Sequence, residues 1–538
     1  MNMYAYGWGL PGKERFVLVD MGVTFPSMDS TPGVDLIVAD PGWIADQSDR
    51  IDGIIITHAH EDHIGALGMI YDRVAAPVFC RRFTSLVART KLQDWNRDPE
   101  VVHMVAAFPE MTKIGPFNIG ILPVPHSIPE ASGLVIDTPV GRVVHTGDLK
   151  LDPEPIVGEA YDPKLFADVA KPGIQALVCD STNVFSPQRG RSEATLREPI
   201  REMIAEATGL MVATTFASNI ARLKTLAQAG VEAGRSVCVL GRSMQRMLGY
   251  AREANVLDDF PPLVDLEDAQ DIPRGNLMLI VTGSQGERRA ASAQLANGTY
   301  LGFTMTEGDT FLFSSKTIPG NEVGVGRIVN ALAAQGVRVI DDSADAYHVS
   351  GHANRPDLSE LHKIFQPKML VPMHGEYRHL LEHKRLASSS GIPSIVVPNG
   401  AVADLSGDTP EIVDHVDAGR LYLDGTEIIG AFDGIVLNRI RMATRGMVAA
   451  SVIFEDDALL GVWVEVLGLA DPAGSKVELA EILERELEDE IEIIPAKALR
   501  NDDDVIARLE RRIGHITRDR VGKKPVTRVL LTRLEADT

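Results

Sequence analysis

Three histidines and an aspartate fall within six positions in the stretch Ile54-Ile-Ile-Thr-His58-Ala-His60-Glu-Asp62-His63-Ile-Gly-Ala-Leu-Gly. Imidazole and carboxylate together are the ligand set of Zn²⁺ and similar divalent ions. The spacing adds geometry. Alternation along an extended segment sends His58 and His60 to the same side. Asp62 and His63 fall at the start of a helix expected over residues 62–69, after the chain has turned. Two groups of ligands aimed from two directions suit two neighbouring ions better than one. A lone histidine among the 14 of this chain would ordinarily be a satisfied core or surface residue; four ligand-type residues in this order are harder to explain that way.

More residues of the same chemistry stand where apolar runs stop. Phe117 to His126 reads as a strand delivering a histidine, Gly141 to Asp148 as one delivering an aspartate, and Met369 to His374 as one delivering another histidine. Grouping reactive side chains at strand ends is how a layered α/β scaffold holds a rigid site. Together they give a candidate two-metal site. His58, His60 and His126 would hold one ion, Asp62, His63 and His374 the other, and Asp148 would bridge them. Two ions about 3.5–4 Å apart can share a hydroxide made at neutral pH and clamp the attacking and leaving oxygens of a displacement at phosphorus. Asp20, ending the run from Phe16, is expected behind the ligands, where carboxylates fix histidine tautomers. His352 has no necessary place among the ligands and is free to act as a general acid. Asp180, in Cys179-Asp180-Ser181-Thr182-Asn183, is expected to orient His352 or His374. Asp62, Asp180 and His352 are thus the catalytic candidates.

Three polar loops can present backbone N–H groups to an anion: Ala217-Ser218-Asn219, Gly283-Ser284-Gln285-Gly286-Glu287 and Ser350-Gly351-His352. Taken singly, each is more often a plain turn. No GxxxxGK[ST] occurs, so nucleotide hydrolysis of the P-loop type has no support.

The elements that must carry these residues fall into three blocks. Residues 1–180 and 350–455 read as one α/β metal domain. It is interrupted at 181–349 by regular α/β units whose apolar runs predict a parallel sheet. Such insertion is ordinary where the ends of the insert lie close together. Residues 456–538 form a small C-terminal α/β domain, with an acidic helix expected over 478–492 and a basic segment over 508–533. The basic segment admits three readings: a solvated face, contact with a nucleic-acid backbone, or a subunit contact.

Bulk properties narrow the class. A chain of 538 residues has room for about three domains. No run approaches the roughly 18 apolar residues of a membrane span, and the N-terminus lacks the basic and apolar regions of a signal peptide. Cys80, Cys179 and Cys238 lie in or beside apolar runs and read as reduced core residues of a cytoplasmic protein. A net charge of −22 argues against a nonspecific, whole-surface nucleic-acid binder but leaves room for a local basic groove or a metal-centred site.

His58-Ala-His60-Glu-Asp62-His63, His126 and Thr146-Gly147-Asp148 resemble the motifs of the metallo-β-lactamase fold. Asp180-Ser-Thr-Asn, Ser350-Gly351-His352-Ala and Pro372-Met-His374-Gly-Glu-Tyr look like the additional motifs of its β-CASP nucleases. Thr215-Phe-Ala-Ser-Asn219 and Thr282-Gly-Ser-Gln-Gly-Glu287 narrow the resemblance to the bacterial ribonuclease J family, along nearly the whole chain. The resemblance implies an αββα metal domain, an inserted β-CASP domain and a small C-terminal α/β domain. It also implies two Zn²⁺ per chain, with Mn²⁺ or Mg²⁺ as alternative activators. The activity implied is 5′→3′ exoribonuclease action on 5′-monophosphorylated RNA with endonuclease activity, in mRNA decay and rRNA maturation. Ser218, Asn219, Ser350, Gly351 and His352 would then line the RNA 5′-phosphate pocket. A homodimer or homotetramer, contacts with other RNA-decay proteins, and no membrane partner are implied as well, which shifts the basic tail toward subunit and RNA contacts. The sequence departs from the family pattern in three places. Family members carry a glycine-rich strand ahead of Asn2-Met-Tyr, Ala59 stands where many have glycine, and Arg288 replaces a usual proline.

Two other readings have less behind them. The large insert with its anion-type loops counts against a small-ester or thioester hydrolase on the same fold. The seven filled ligand positions count against an inactive RNA-processing scaffold.

Overall fold

The computed structural model describes residues 1–341, 345–456 and 458–534, which cluster into two compact units. The first comprises residues 1–24 and 38–420, the second residues 25–37 and 421–538.

Two sheets face each other in the first unit. One has the order Tyr4–Trp8, Arg15–Val19, Ile51–Ile55, Val78–Cys80, Val102–Met104. The other runs Met369–Met373, Ile174–Asp180, Gly141–His145, Ser132–Thr138, Phe117–Pro123, Met111–Ile114. Val17, Val19 and Ile55 of the first pack with Ile119, Ile121, Leu134, Ile136, Ala176, Val178 and Met369 of the second in one apolar cluster. Helices Leu67–Val74 and Arg82–Asp94 pack together on the first sheet, and Tyr377–Ser389 packs on the strand Met369–Met373 of the second, giving the αββα layering.

Strand direction explains where the reactive residues gather. Arg15–Val19 is parallel to Ile51–Ile55, and Gly141–His145, Ile174–Asp180 and Met369–Met373 are mutually parallel. Phe117–Pro123 and Gly141–His145 each pair antiparallel with Ser132–Thr138 and so share a direction. Asp20, His58, His126, Asp148, Asp180 and His374 therefore all leave the C-terminal ends of their strands.

The expected helix over 62–69 is two helices, Glu61–Ile64 and Leu67–Val74. The Ala66 N–H donates to the Met21 carbonyl at 2.9 Å and so leaves the helical ladder, which breaks the chain after Gly65. The inserted segment folds as predicted into a wholly parallel sheet, ordered Ser236–Leu240, Leu277–Val281, Met211–Thr214, Thr310–Phe313, Arg338–Ile340. Its strands are apolar at nearly every position because helices cover both faces.

In the second unit, Met447–Glu455 is the central strand between Ala458–Leu467 and Val526–Leu534. Helices Leu479–Glu492 and Asp502–Val521 cover one face and bury Leu483, Leu487, Leu509 and Ile513. The expected domain boundary at 455/456 is corrected: it would cut this hairpin and separate Val448, Val452 and Phe454 from the core they build. The acidic and basic segments pair within the chain. Arg508 Nε donates to Glu490 at 2.6 Å and Arg512 is bonded to Glu486. Among the described residues no helix is long and apolar enough to cross a membrane.

Candidate metal centre

The apolar strand Ile51–Ile55 is buried at four of its five positions, and the chain beyond it delivers Thr57 and His58 into the interior. His58 Nε2 and His126 Nε2 each lie 3.2 Å from His60 Nδ1, so three ring nitrogens converge. A second group forms beside them. His63 Nε2 is 3.5 Å and His374 Nε2 3.2 Å from Asp62 Oδ2. One oxygen reaches both groups. Asp148 Oδ2 lies 3.2 and 3.4 Å from His63 and His374 Nε2, and 3.9 and 3.8 Å from His58 and His126 Nε2.

The opposite ring nitrogens are occupied. His63 Nδ1–H donates to Asp20 Oδ2 at 2.7 Å, and His126 Nδ1–H donates to the Gly351 carbonyl at 2.6 Å. The Thr57 hydroxyl donates to Asp20 and accepts from His58 Nδ1 at 3.0 Å. The Thr182 hydroxyl does the same between Asp180 and His374, at 2.7 Å on each side. Four histidines thereby have a partner for Nδ1–H, which leaves Nε2 facing inward, as metal ligation requires.

The electrostatics of the first group agree. Burial pushes His58 and His126 well below the ordinary histidine range and His60 down to about 4, which leaves neutral rings. Burial would raise Asp148, but His374 and His63 outweigh it and hold the carboxyl well below its usual range. Its Oδ1 is buried without a hydrogen-bond partner among the described residues, an expensive arrangement for a carboxylate. Burial would lower His63 as well, but Asp148, Asp62 and Asp20 outweigh it and hold this ring well above the ordinary histidine range, so a metal ion binding there displaces its proton. Imidazoles converging with carboxylates suit a divalent metal.

Asp180 serves both histidines between which the sequence left it undecided. Its Oδ2 accepts from His352 Nδ1 at 2.7 Å, and its Oδ1 reaches His374 through Thr182. Burial acts to lower His352, but adjacent Asp180 outweighs it and the ring is pushed up to about 9. His352 Nε2 stands 4.0 Å from Asp148 Oδ2.

The candidate phosphate residues divide into two groups. Asn219 caps the helix Ile220–Glu232, its Oδ1 accepting from the Arg222 N–H at 2.9 Å, and Ser218 precedes it, half-buried. The Ser350 hydroxyl oxygen accepts from Asn183 Nδ2 at 2.8 Å. Gly351 lies so close to His126 that a Cβ would stand 2.8 Å from its ring, so only glycine fits.

Sequence reasoning missed several residues at the site. Thr57 is next to His58 and Thr182 lies two positions after Asp180, and a hydroxyl close to a singled-out residue was the available signal. Asn2 offered none. Its Nδ2 lies 3.2 Å from the Asp62 carbonyl and 3.4 Å from Asp62 Oδ2, with the amide oriented by the Tyr4 hydroxyl, which donates to Oδ1 at 2.9 Å. Gly22 is needed for this approach, since a Cβ there would fall 1.7 Å from the Asp62 carbonyl oxygen.

A sandwich of two sheets with such a cluster at its strand ends, interrupted by a parallel α/β insert, defines a metallo-hydrolase of the metallo-β-lactamase fold. Family models agree: residues 2–182 match the metallo-β-lactamase superfamily, 208–332 the ribonuclease J β-CASP domain, 337–398 the Zn-dependent metallo-hydrolase RNA specificity domain, and 434–534 the ribonuclease J C-terminal domain. The chain is 38% identical to ribonuclease J of Sinorhizobium meliloti, over 99% of this chain and 95% of that protein. It is 32% identical to ribonuclease J of Corynebacterium glutamicum (98% and 74% covered) and 33% identical to that of Thermus thermophilus (84% and 80%). The chain belongs to the ribonuclease J family.

Proposed function

We propose that this chain is a two-zinc ribonuclease. It removes nucleotides from the 5′ end of RNA bearing a 5′-monophosphate, also cuts internally, and works in mRNA decay and rRNA maturation in the cytoplasm. The observation that carries this reading is the single oxygen, Asp148 Oδ2, within reach of two groups of inward-facing histidine nitrogens. His58, His60 and His126 would hold one ion and Asp62, His63 and His374 the other, with Asp148 between them. Divalent ions bound there supply a nucleophile at neutral pH and neutralise charge on a phosphoryl group.

The chain's own residues do the rest. Asp20, Thr57, Thr182 and the Gly351 carbonyl hold the imidazole tautomers. Asp180 accepts the Nδ1–H of His352, which orients Nε2–H to protonate the departing 3′ oxygen. Ser218, Asn219, Ser350 and Gly351 would receive the 5′-phosphate through hydroxyl and backbone N–H donors at a helix start. The domain limits we propose are 1–24 and 38–180 with 350–420 for the metal domain, 181–349 for the insert, and 25–37 with the chain from 421 for the C-terminal unit. A homodimer or homotetramer is the proposed assembly, with other RNA-decay proteins as further partners.

The test uses one 3′-labelled RNA carrying a 5′-monophosphate, 5′-triphosphate or 5′-hydroxyl. The wild-type chain should release mononucleotides fastest from the monophosphate, and Asp62→Ala should release none. His352→Ala should slow single-turnover cleavage about a hundredfold or more at unchanged metal content; an unchanged rate removes His352 from the chemistry. Absence of RNA cleavage by the metal-loaded wild type would overturn the reading.

A further inference from the structure

A buried charged cluster joins the inserted domain to the metal centre, and no role above uses it. Arg222, in the first turn of the helix beginning at Ile220, is fully buried. Its Nε and one terminal nitrogen donate to the two carboxylate oxygens of Glu193 at 2.6 and 2.9 Å. The other terminal nitrogen donates to the Ser314 carbonyl at 2.6 Å and stands 3.3 Å from His348 Nδ1. Burial, with Arg222 adding to it, pushes His348 down to about 3, so the ring is neutral and can accept that N–H.

Two routes lead from this pair to the metal ligands. In one, the Glu193 N–H donates to Asp152 Oδ2 at 2.9 Å, and Asp152 is ion-paired with buried Lys150 at 2.7 Å. The Lys150 N–H donates in turn to the Pro125 carbonyl at 2.8 Å, so this route ends between His126 and Asp148. In the other, the Ser314 hydroxyl donates to the Tyr347 carbonyl at 2.8 Å, which fixes the segment running into Ser350 and Gly351, whose carbonyl holds His126. The backbone N–H of Arg222 is itself bonded to Asn219 Oδ1. One residue thus clamps the Ser218–Asn219 loop by its main chain and both routes by its side chain.

A buried ion pair is a poor source of stability, because desolvation offsets most of the attraction, and apolar residues of similar volume often serve as well. What a bidentate arginine–carboxylate pair provides is fixed relative position. We propose that Arg222 and Glu193 are positioning residues that set the distance between the Ser218–Asn219 loop and the metal-ligand groups. They thereby fix where the cut falls on a 5′-phosphorylated chain. The proposal rests on the phosphate-pocket reading above.

The test uses the full, zinc-loaded chain in three forms: wild type, Arg222→Lys, which keeps the charge and loses the fork, and Arg222→Met combined with Glu193→Met, which replaces the pair by apolar volume. Each is given the same RNA with a 5′-monophosphate or a 5′-hydroxyl, and first-product length and kcat/KM are read. Both variants should lose about tenfold or more of the monophosphate preference and release first products of mixed length, while cleavage of the 5′-hydroxyl strand stays within about threefold of wild type. Unchanged preference and product length would overturn the proposal. So would an equal loss on both substrates, or failure of both variants to fold, either of which would make the pair merely structural. A wild-type chain indifferent to the 5′ end would overturn the pocket reading itself, an outcome visible without any variant.

Discussion

Asp20→Asn replaces one oxygen by an NH₂ group in a sealed space, and the bonding there makes the consequence calculable. The Asp20 carboxylate accepts the Thr57 N–H at 2.8 Å, the Thr57 hydroxyl, and His63 Nδ1–H at 2.7 Å. An asparagine can keep the Thr57 N–H only by turning its NH₂ toward His63, where two donors would then face each other. The ring can relieve this by moving its proton to Nε2, but Nε2 is the nitrogen that faces Asp62 and Asp148. The reverse amide orientation transfers the same conflict to the Thr57 N–H. Each orientation leaves one buried donor unsatisfied, at about 1–3 kcal/mol. Since about 1.4 kcal/mol is a factor of ten, metal affinity should fall roughly tenfold to a hundredfold, the range usual for partners behind a ligand. Competition with a chelator, read by Zn²⁺ release from the loaded chain, measures this directly. Thr57→Val gives a control at constant charge, since it deletes the hydroxyl that orients His58, and it should weaken binding in the same direction. Affinity for Asp20→Asn within about twofold of wild type, with the fold intact, would refute the argument that Asp20 acts by fixing the tautomer.

Two more predictions follow from groups outside that bond. Asn2→Ala removes the amide that braces Asp62, worth about 1 kcal/mol, so zinc affinity should fall roughly fivefold in the same chelator assay, with Tyr4→Phe having a smaller effect in the same direction. His362 and His383 stack with Nε2 atoms 3.0 Å apart, and burial pushes His362 from 6.5 to about 4 and His383 well below the ordinary histidine range. Between those values the unfolded chain binds more protons than the folded one, so their stabilising contribution is complete above pH 6.5 and is lost as pH falls toward 4. His362 alone accounts for about 3 kcal/mol of that loss. Denaturant midpoints of metal-free protein at pH 7 and pH 5 would capture about 2 kcal/mol of it, the remainder falling below pH 5, and His362→Gln should flatten the difference.

The sequence made some features legible because their physics is local. Parallel strands buried on both faces must be continuous apolar runs, so Leu277–Val281 and Thr310–Phe313 were readable as strands, and histidines closing such runs stood out. The break between Ile64 and Leu67 was not readable. It depends on a carbonyl at Met21, more than 40 positions away, competing for the Ala66 N–H, and the sequence at residues 62–69 is compatible with one helix. The expected boundary at 455/456 cuts a hairpin, although the alternation of Val448, Ala450, Val452 and Phe454 marks a strand with one face buried.

The residues hardest to find share a property that also explains their importance. Asn2, Thr57, Thr182 and Arg222 belong to types that are ordinarily solvated, and for Asn2 and Arg222 nothing in the immediate neighbourhood separates them from surface residues. Burial without a partner would penalise each of them, so each has a partner, and those partners are contributed by distant segments. Arg222 is the clearest case: it meets Glu193, Ser314 and His348, from three separate parts of the chain. A ligand type can be read from its spacing along one strand, but the tautomer that lets it bind is set by a neighbour that only the fold brings near. The Nδ1 protons of His58 and His374 depend on hydroxyls from Thr57 and Thr182, and those hydroxyls are turned by Asp20 and Asp180. In this chain the candidate metal ligands are therefore a sequence property, whereas their readiness to bind is a tertiary one.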